Sequence, residues 1–264
     1  MQEVYNATVT GKILLTQELM ILRLRSDEPR NEFKAGQFTQ IGLLASEPRT
    51  SYSTVPIDEF ADDYLIKRPY SIASAKTETR DFEFYISHVK SGQLTPRLFN
   101  LQQGNRIWIA DKILGVFSLN DVPPKTNIVM VATGTGLAPY ISFLRSHIAD
   151  HPEINMAVLH GAANPWDLGY YSELTLLQKL FKNFHYFPTL LKSDDSWSGL
   201  RGYIEDHLKS GLLEEYGIEN DPQKTHYFLC GNPKMVEGVS AYLFEKNYTK
   251  HTKKSPGALH IEEY

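Results

Sequence analysis

Two rhythms of apolar and polar positions divide the chain. In the first half, apolar residues come in short β-prone runs at 4–15, 21–25, 37–44, 82–86 and 106–109, separated by Gly, Pro and Asn/Asp clusters. Such runs predict antiparallel strands. One stretch breaks the pattern. Thr95 as N-cap, Pro96 at the first helical position, Leu98 and Leu101 on one face and Gly104 past the end predict a short helix. Six or so short strands with one helix predict a small closed or nearly closed barrel.

After Asp121-Val122-Pro123-Pro124-Lys125 the rhythm changes. Short apolar runs at 128–132, 156–160, 186–191 and 227–230 alternate with helix-like stretches at 140–148, 172–181, 203–208 and 233–244. That alternation predicts a parallel sheet with covered faces. The expected organisation is a β-barrel domain over 1–123 and an α/β domain over 124–264. Residues 46–63 form a polar stretch to which no element is assigned.

Composition narrows the function. An apolar fraction of 42% over 264 residues supports a proper core, and a net charge of −4 gives no general reason to expect nucleic acid or an anionic membrane as partner. No run approaches the roughly 20 apolar residues that span a bilayer. Met1 to Asn6 shows neither the basic nor the apolar region of a secretory signal. Cys230 is the single cysteine, so an internal disulfide is excluded and a reducing, cytoplasmic setting is expected. Iron–sulfur clusters usually take four thiolates, so a cluster that exchanges electrons with this chain would sit on another protein. No metal site and a monomer are expected.

Arg68-Pro69-Tyr70-Ser71 offers a cation, an aromatic plate and a hydroxyl within four residues. Arginine matches a diphosphate through paired donors, tyrosine can stack on an isoalloxazine, and serine can bond the flavin N5. In an extended segment, residues 68 and 70 share one face and 69 and 71 the other. A surface strand carrying an arginine has the same four residues. Gly134-Thr135-Gly136-Leu137-Ala138-Pro139 closes an apolar run and opens a helix, where phosphate can sit on free backbone N–H groups. It is neither a Walker loop nor the full dinucleotide fingerprint, because Pro139 replaces the third glycine, and a tight strand-to-helix turn explains it equally well. Cys230-Gly231-Asn232-Pro233 ends another run, with Gly231 placed to let a ligand approach; a buried structural cysteine is the alternative. Glu262-Glu263-Tyr264 reads either as a fraying tail or as an aromatic folded over a flavin. His160, at the end of the second parallel run, reads as a lining residue. Together these elements suggest hydride transfer from a nicotinamide to a flavin.

The chain resembles the ferredoxin–NADP reductase family, most of all its bacterial ferredoxin/flavodoxin reductases. The resemblance covers nearly the whole length. It rests on Ala35-Gly36-Gln37-Phe38-Thr39, Arg68-Pro69-Tyr70-Ser71-Ile72-Ala73-Ser74, Gly92-Gln93-Leu94-Thr95-Pro96-Arg97-Leu98, Ala132-Thr133 with the glycine turn, and Cys230-Gly231-Asn232-Pro233-Lys234-Met235. It implies an FAD-binding barrel, a nicotinamide domain and FAD between them. Arg68 would bind the diphosphate with Pro69 beside it, Tyr70 would stack on the ring and Ser71 would face N5. Tyr85, Ile86, Ser87 and His88 would line the ribityl and adenine side. Gly92, Leu94 and Thr95 would hold the diphosphate, and Thr135 would touch the flavin from the second domain. Gly134, Gly136, Pro139, His160, Gly231, Asn232 and Met235 would surround the nicotinamide nucleotide. Tyr264 matches the family's stacking aromatic, and Glu262 becomes a candidate proton relay through Ser71. The expected catalytic group is Ser71, Cys230, Glu262 and Tyr264.

The resemblance fails in one informative place. NADPH-preferring relatives carry arginines around the adenosine 2′-phosphate, where this chain has Ala163, Ser193 and Tyr203. Lys192 and Arg201 lie nearby as substitutes, whereas Asp194 and Asp195 would repel phosphate. A hydrogen bond to a charged group contributes about 1.5–3 kcal/mol, so two lost contacts shift preference by roughly 10²–10⁴. The expected activity is electron exchange between NAD(P)H and ferredoxin or flavodoxin. An NADH-dependent reductase component serving an oxygenase, and a non-catalytic flavin electron-transfer subunit, are the alternatives.

Overall fold

The computed structural model describes residues 4–54 and 60–262. The chain divides into two compact units, Met1–Ser118 with Ile141–Ser146, and Leu119–Tyr140 with His147–Tyr264.

The first unit is an antiparallel sheet of six strands, β1 (Ala7–Thr16), β2 (Leu19–Ser26), β3 (Phe38–Leu44), β4 (Leu65–Ser71), β5 (Asp81–Ser87) and β6 (Arg106–Leu114), in the order β4-β3-β6-β1-β2-β5. A bridge between Ile72 and Phe84 brings the β4 end to β5 and nearly closes the barrel. Alternating residues point inward: Met20, Leu22 and Leu24 of β2 meet Phe82, Phe84 and Ile86 of β5, with Ile41, Ile66, Ile107 and Ile109 completing the core. Gly36 has φ +88°, and a side chain there would collide with the Phe117 carbonyl and the Phe143 ring.

The short helix α1 (Thr95–Asn100) buries Leu98 and Leu101 as their spacing predicts. Its cap differs from the expected one. Leu94, not Thr95, is the N-cap residue. The Thr95 hydroxyl instead accepts from the Val89 N–H at 2.9 Å and donates to the Val89 carbonyl at 3.2 Å. A loop that doubles back beside the helix start competes for the hydroxyl and wins it. At the other end the Lys12 ammonium donates to the carbonyls of Phe99 and Leu101, at 2.6 and 2.7 Å, where a cation is favoured.

The second unit is an all-parallel sheet of β7 (Asn127–Thr133), β8 (Met156–Ala162), β9 (Phe184–Leu190), β10 (Leu200–Arg201), β11 (Thr225–Cys230) and β12 (Leu259–Glu262). Its helices are α2 (Ala138–His147), α3 (Tyr171–Leu180), α4 (Ile204–Lys209) and α5 (Pro233–Glu245). Every residue of β11 is buried, as a strand covered on both faces requires. The strand order β10-β9-β8-β7-β11-β12 reverses between β7 and β11, and open α/β sheets bind ligands at the carboxyl ends of strands beside such a reversal.

Of the expected tail only Glu262 is described, as the last residue of β12; Glu263 and Tyr264 lie outside the described residues. Residues 259–262 pair with β11, Phe228 opposite His260 and Cys230 opposite Glu262. His260 breaks the apolar run in sequence but not in space. Its ring stacks on Phe228 at 4.2 Å, and its Nε2 lies 3.1 Å from His226 Nδ1. No helix among the described residues is long and apolar enough to cross a membrane.

Candidate flavin and nucleotide sites

In the first unit, β4 sets the Arg68 motif in a strand, with Ser71 opposite Phe38 and Arg68 opposite Ile41. Arg68 and Pro69 are exposed, Tyr70 is half-buried and Ser71 is buried. The Arg68 guanidinium donates to the Lys67 carbonyl at 2.7 Å and keeps further donors for an anion. Tyr70 leans edge-on to Phe84, centroids 6.5 Å apart, and burial lifts its phenol pKa far above the usual range.

The expected lining row on β5 is only partly available. Tyr85 and Ile86 are buried in the barrel wall, Ser87 is half-buried, and His88 is buried just beyond the strand. Successive strand residues alternate between faces, so four in a row cannot all meet one ligand. His88 Nε2 lies 3.0 Å from the Thr50 hydroxyl, its ring stands edge-on to Phe99, and burial lowers its pKa. It anchors the 46–54 arm rather than lining a surface.

Gly92, Leu94 and Thr95 sit in the turn that opens α1. A side-chain carbon at Gly92 would lie 3.0 Å from the Val89 carbonyl and 3.2 Å from the Thr95 hydroxyl, so the turn packs tightly there. An exposed guanidinium, a half-buried phenol and the tight turn at Gly92 fit a flavin dinucleotide. Two arginines beneath this turn, Arg49 and Arg97, the second part of the Gly92-to-Leu98 motif, received no role from the sequence because both donate to main-chain carbonyls, a partnership with no sequence signature.

In the second unit the ends of β7 and β11 are tied together. The Asn232 N–H donates to the Thr133 hydroxyl at 2.8 Å, and the Asn232 carboxamide oxygen accepts from the Lys234 N–H at 2.9 Å, capping α5 with Pro233 at its start. A side chain on Gly136 would strike the Cys230 carbonyl, and one on Gly231 would lie 2.5 Å from the Thr133 carbonyl. Gly231 therefore admits the neighbouring backbone rather than a ligand. Gly134, with φ +54°, faces open space. Thr135 is half-buried, whereas Pro139 and Met235 are buried in the first turns of α2 and α5. The starts of these two helices suit a diphosphate.

Cys230 is buried, level with Ala132 on one side and with half-buried Glu262 on the other. Tyr264 lies outside the described residues. His160 is wholly buried, with Nδ1 3.1 Å from the Tyr186 hydroxyl and Nε2 without a partner among the described residues. Burial lowers its pKa to about 4, so the ring is neutral.

At the other edge, Arg201 of β10 folds onto the loop after β9. Its Nε donates to the Ser193 hydroxyl at 2.9 Å, and its Nη2 donates to the carbonyls of Asp194 and Trp197 at 2.7 and 2.9 Å. The exposed Lys192 is tied through its N–H to the Ala163 carbonyl at 2.8 Å. Asp194 accepts from the hydroxyl and N–H of Ser196, and these bonds hold its carboxyl below the usual range. Ser193 and Arg201 are thus brought together beside an ionised Asp194, with Lys192 adjacent to Ser193 in the chain.

An antiparallel flavin-type barrel, followed by a parallel sheet with a glycine turn at its switch point, defines a flavin- and nicotinamide-dependent oxidoreductase. Residues 130–241 match the oxidoreductase NAD-binding domain. The flavodoxin/ferredoxin–NADP reductase of Buchnera aphidicola subsp. Baizongia pistaciae is 31% identical over 265 residues, covering 98% of this chain and 99% of that one. The protein of the same name from Escherichia coli (strain K12) is 30% identical over 231 residues, covering 86% of each. A ferredoxin NADP+ reductase from Neisseria gonorrhoeae, solved with FAD and NADP, shares the fold with a TM-score of 0.83 over 99% of both chains, at 23% identity. The chain belongs to the flavodoxin/ferredoxin–NADP reductase family.

Proposed function

We propose that this enzyme binds FAD and passes electrons between a nicotinamide dinucleotide and ferredoxin or flavodoxin, with the flavin held by residues 1–123 and the nucleotide by 124–264. The observation that carries the reading is the tied pair of strand ends, Thr133 to Asn232, at the switch point of the parallel sheet. Bound FAD would supply a two-electron acceptor for hydride that can release electrons singly. The chain's own residues bind and orient. With FAD bound, Arg68 would hold the diphosphate, Tyr70 would stack on the ring, and the Ser71 hydroxyl would supply a hydrogen bond to the flavin N5. Gly134 leaves room for the nucleotide, while the starts of α2 and α5 supply N–H donors to its diphosphate. Glu262, fixed level with Cys230, is the carboxylate placed to hold a proton, and Tyr264 is the stacking aromatic.

Anaerobic mixing of the FAD-loaded protein with NADPH, then NADH, followed at the flavin absorbance, tests the first half-reaction. Reoxidation by ferredoxin and by flavodoxin tests the second. A protein that takes up no FAD, or whose flavin neither nucleotide bleaches, ends the reading. The exposed Asp194–Asp195 pair favours a second reading, an NADH-dependent reductase component; faster bleaching by NADH with no turnover on either carrier would select it.

A further inference from the structure

The turn between β5 and α1 rests on two arginines that form no ion pair among the described residues. Arg97 is 7% exposed; its Nη1 donates to the Gln93 carbonyl at 2.6 Å, and its Nη2 donates to the Ala45 carbonyl at 2.6 Å. Arg49 is half-buried; its Nη1 donates to the Gly92 carbonyl at 3.0 Å, and its Nη2 donates to the carbonyls of Thr54 and Lys90 at 2.9 and 3.4 Å. Neither guanidinium forms an ion pair among the described residues. Glu47, the acid whose field reaches Arg97, accepts instead from the Tyr5 hydroxyl at 2.7 Å. Burial lowers both guanidinium pKa values, and the charge of Arg49 lowers that of Arg97 further.

Two like charges, held close and partly out of water, are unfavourable unless something compensates them. The hydrogen bonds also dictate the direction of the turn. A trans peptide points its N–H opposite to its carbonyl. With the carbonyls of Lys90 and Gln93 drawn toward the arginines, the N–H groups of Ser91 and Leu94 are turned the other way. Thr54 reinforces this, its N–H and its hydroxyl each donating to the Lys90 carbonyl at 3.1 Å. The turn therefore points the N–H groups of Ser91 and Leu94 away from the arginines, with positive charge that no described carboxylate pairs with beneath them.

We propose that Arg49 and Arg97 are positioning residues for the diphosphate of the flavin dinucleotide, aiming the N–H groups of the 90–95 turn and supplying the positive field behind them. This rests on the FAD reading above. It adds two residues that lie outside the Arg68 motif and donate to main-chain carbonyls.

The test is the FAD dissociation constant of the apoprotein, measured by flavin fluorescence at two salt concentrations for wild type, Arg49→Gln and Arg49→Lys. Arg49→Gln is expected to weaken FAD binding about 10- to 100-fold and to flatten its salt dependence, because a charge facing the diphosphate has gone. Arg49→Lys, which keeps the charge without the fork, is expected to restore the wild-type salt dependence and part of the affinity. Loss of affinity with an unchanged salt dependence would make Arg49 a merely structural support, and unchanged affinity would remove it altogether; either result overturns the proposal. Melting of the apoproteins checks that the variants fold. Arg97→Gln, whose site is more deeply buried, is the second variant and is expected to repeat the pattern if it folds. Failure of wild type to bind FAD would instead defeat the reading beneath.

Discussion

The Asn232 N–H and the Thr133 hydroxyl meet at 2.8 Å, across the gap between two strands whose sequences lie 99 residues apart. This bond continues the β7–β11 pairing one step past Cys230 and holds the end of β7, just before the glycine turn, against the residue that caps α5. Thr133→Val removes the acceptor and leaves the exposed Asn232 N–H to water, at a cost of about 0.5–1.5 kcal/mol. The variant is expected to melt at a lower temperature and to raise KM for the nucleotide more than it lowers kcat. Steady-state kinetics and thermal melting together check this; an unchanged KM would show that the tie does not set the nucleotide site.

The three glycines at that crevice separate by mechanism. Gly136 and Gly231 are packed against the opposing strand end, whereas Gly134 faces open space at a positive φ. Gly136→Ala forces backbone apart and is expected to abolish nucleotide binding or folding. Gly134→Ala meets no atom and is expected to cost only about 1 kcal/mol of conformational strain. Comparing the stability and nucleotide affinity of the two variants decides the matter. Equal damage would mean that the turn's own conformation, rather than the approach of β11, is what glycine serves here.

Three buried histidines make stability depend on mild acid. Burial, as the largest cause, lowers the pKa of His160 and of His226 to about 4 and of His260 to about 3; the charge of His251 adds to the effect at the latter two, and that of His226 at His260. Unfolded histidine titrates near 6.5. Between about pH 6.5 and 4 the unfolded chain therefore binds more protons than the folded one, and stability falls as pH falls through that window. Asp27, held low chiefly by its hydrogen bond from Arg106, acts in the same sense only below its ordinary carboxylate range. Unfolding midpoints are expected to drop between pH 7 and 5, with a shallower drop in His160→Phe. A pH-independent midpoint in this range would overturn the assignment.

The sequence revealed both units because their patterns differ in period, and because Gly134, Gly136 and Cys230 fall at strand ends where a change of pattern is visible. It missed β12 because His260 breaks the apolar run, although stacking on Phe228 and pairing with His226 bury it. It misassigned the cap of α1 because nothing local shows that Val89 claims the Thr95 hydroxyl. His160 read as lining from its place near a strand end, and its contact with Tyr186, 26 residues on, is one that spacing along the chain does not show. The roles of Arg49 and Arg97 were invisible for a related reason: their partners are carbonyls, which every residue has.

Nucleotide choice turns on Arg201. Its guanidinium gives three hydrogen bonds to the 193–197 loop, so it both shapes that loop and leaves a positive charge beside Ser193. The ionised Asp194 lies next to it and subtracts from that field. A 2′-phosphate would therefore meet one arginine already committed to the loop and a neighbouring carboxylate, a weaker attraction than two free arginines provide. The kcat/KM for NADPH is expected to exceed that for NADH by less than about a thousandfold, or not at all, at 1.4 kcal/mol per decade. Arg201→Ala removes both charge and loop support, so it should lower the NADPH value about 10- to 100-fold and the NADH value less. Asp194→Asn, which keeps much of the Ser196 bonding, should move the ratio the other way. An NADPH-to-NADH ratio indifferent to both substitutions would place the adenosine phosphate elsewhere than beside Ser193.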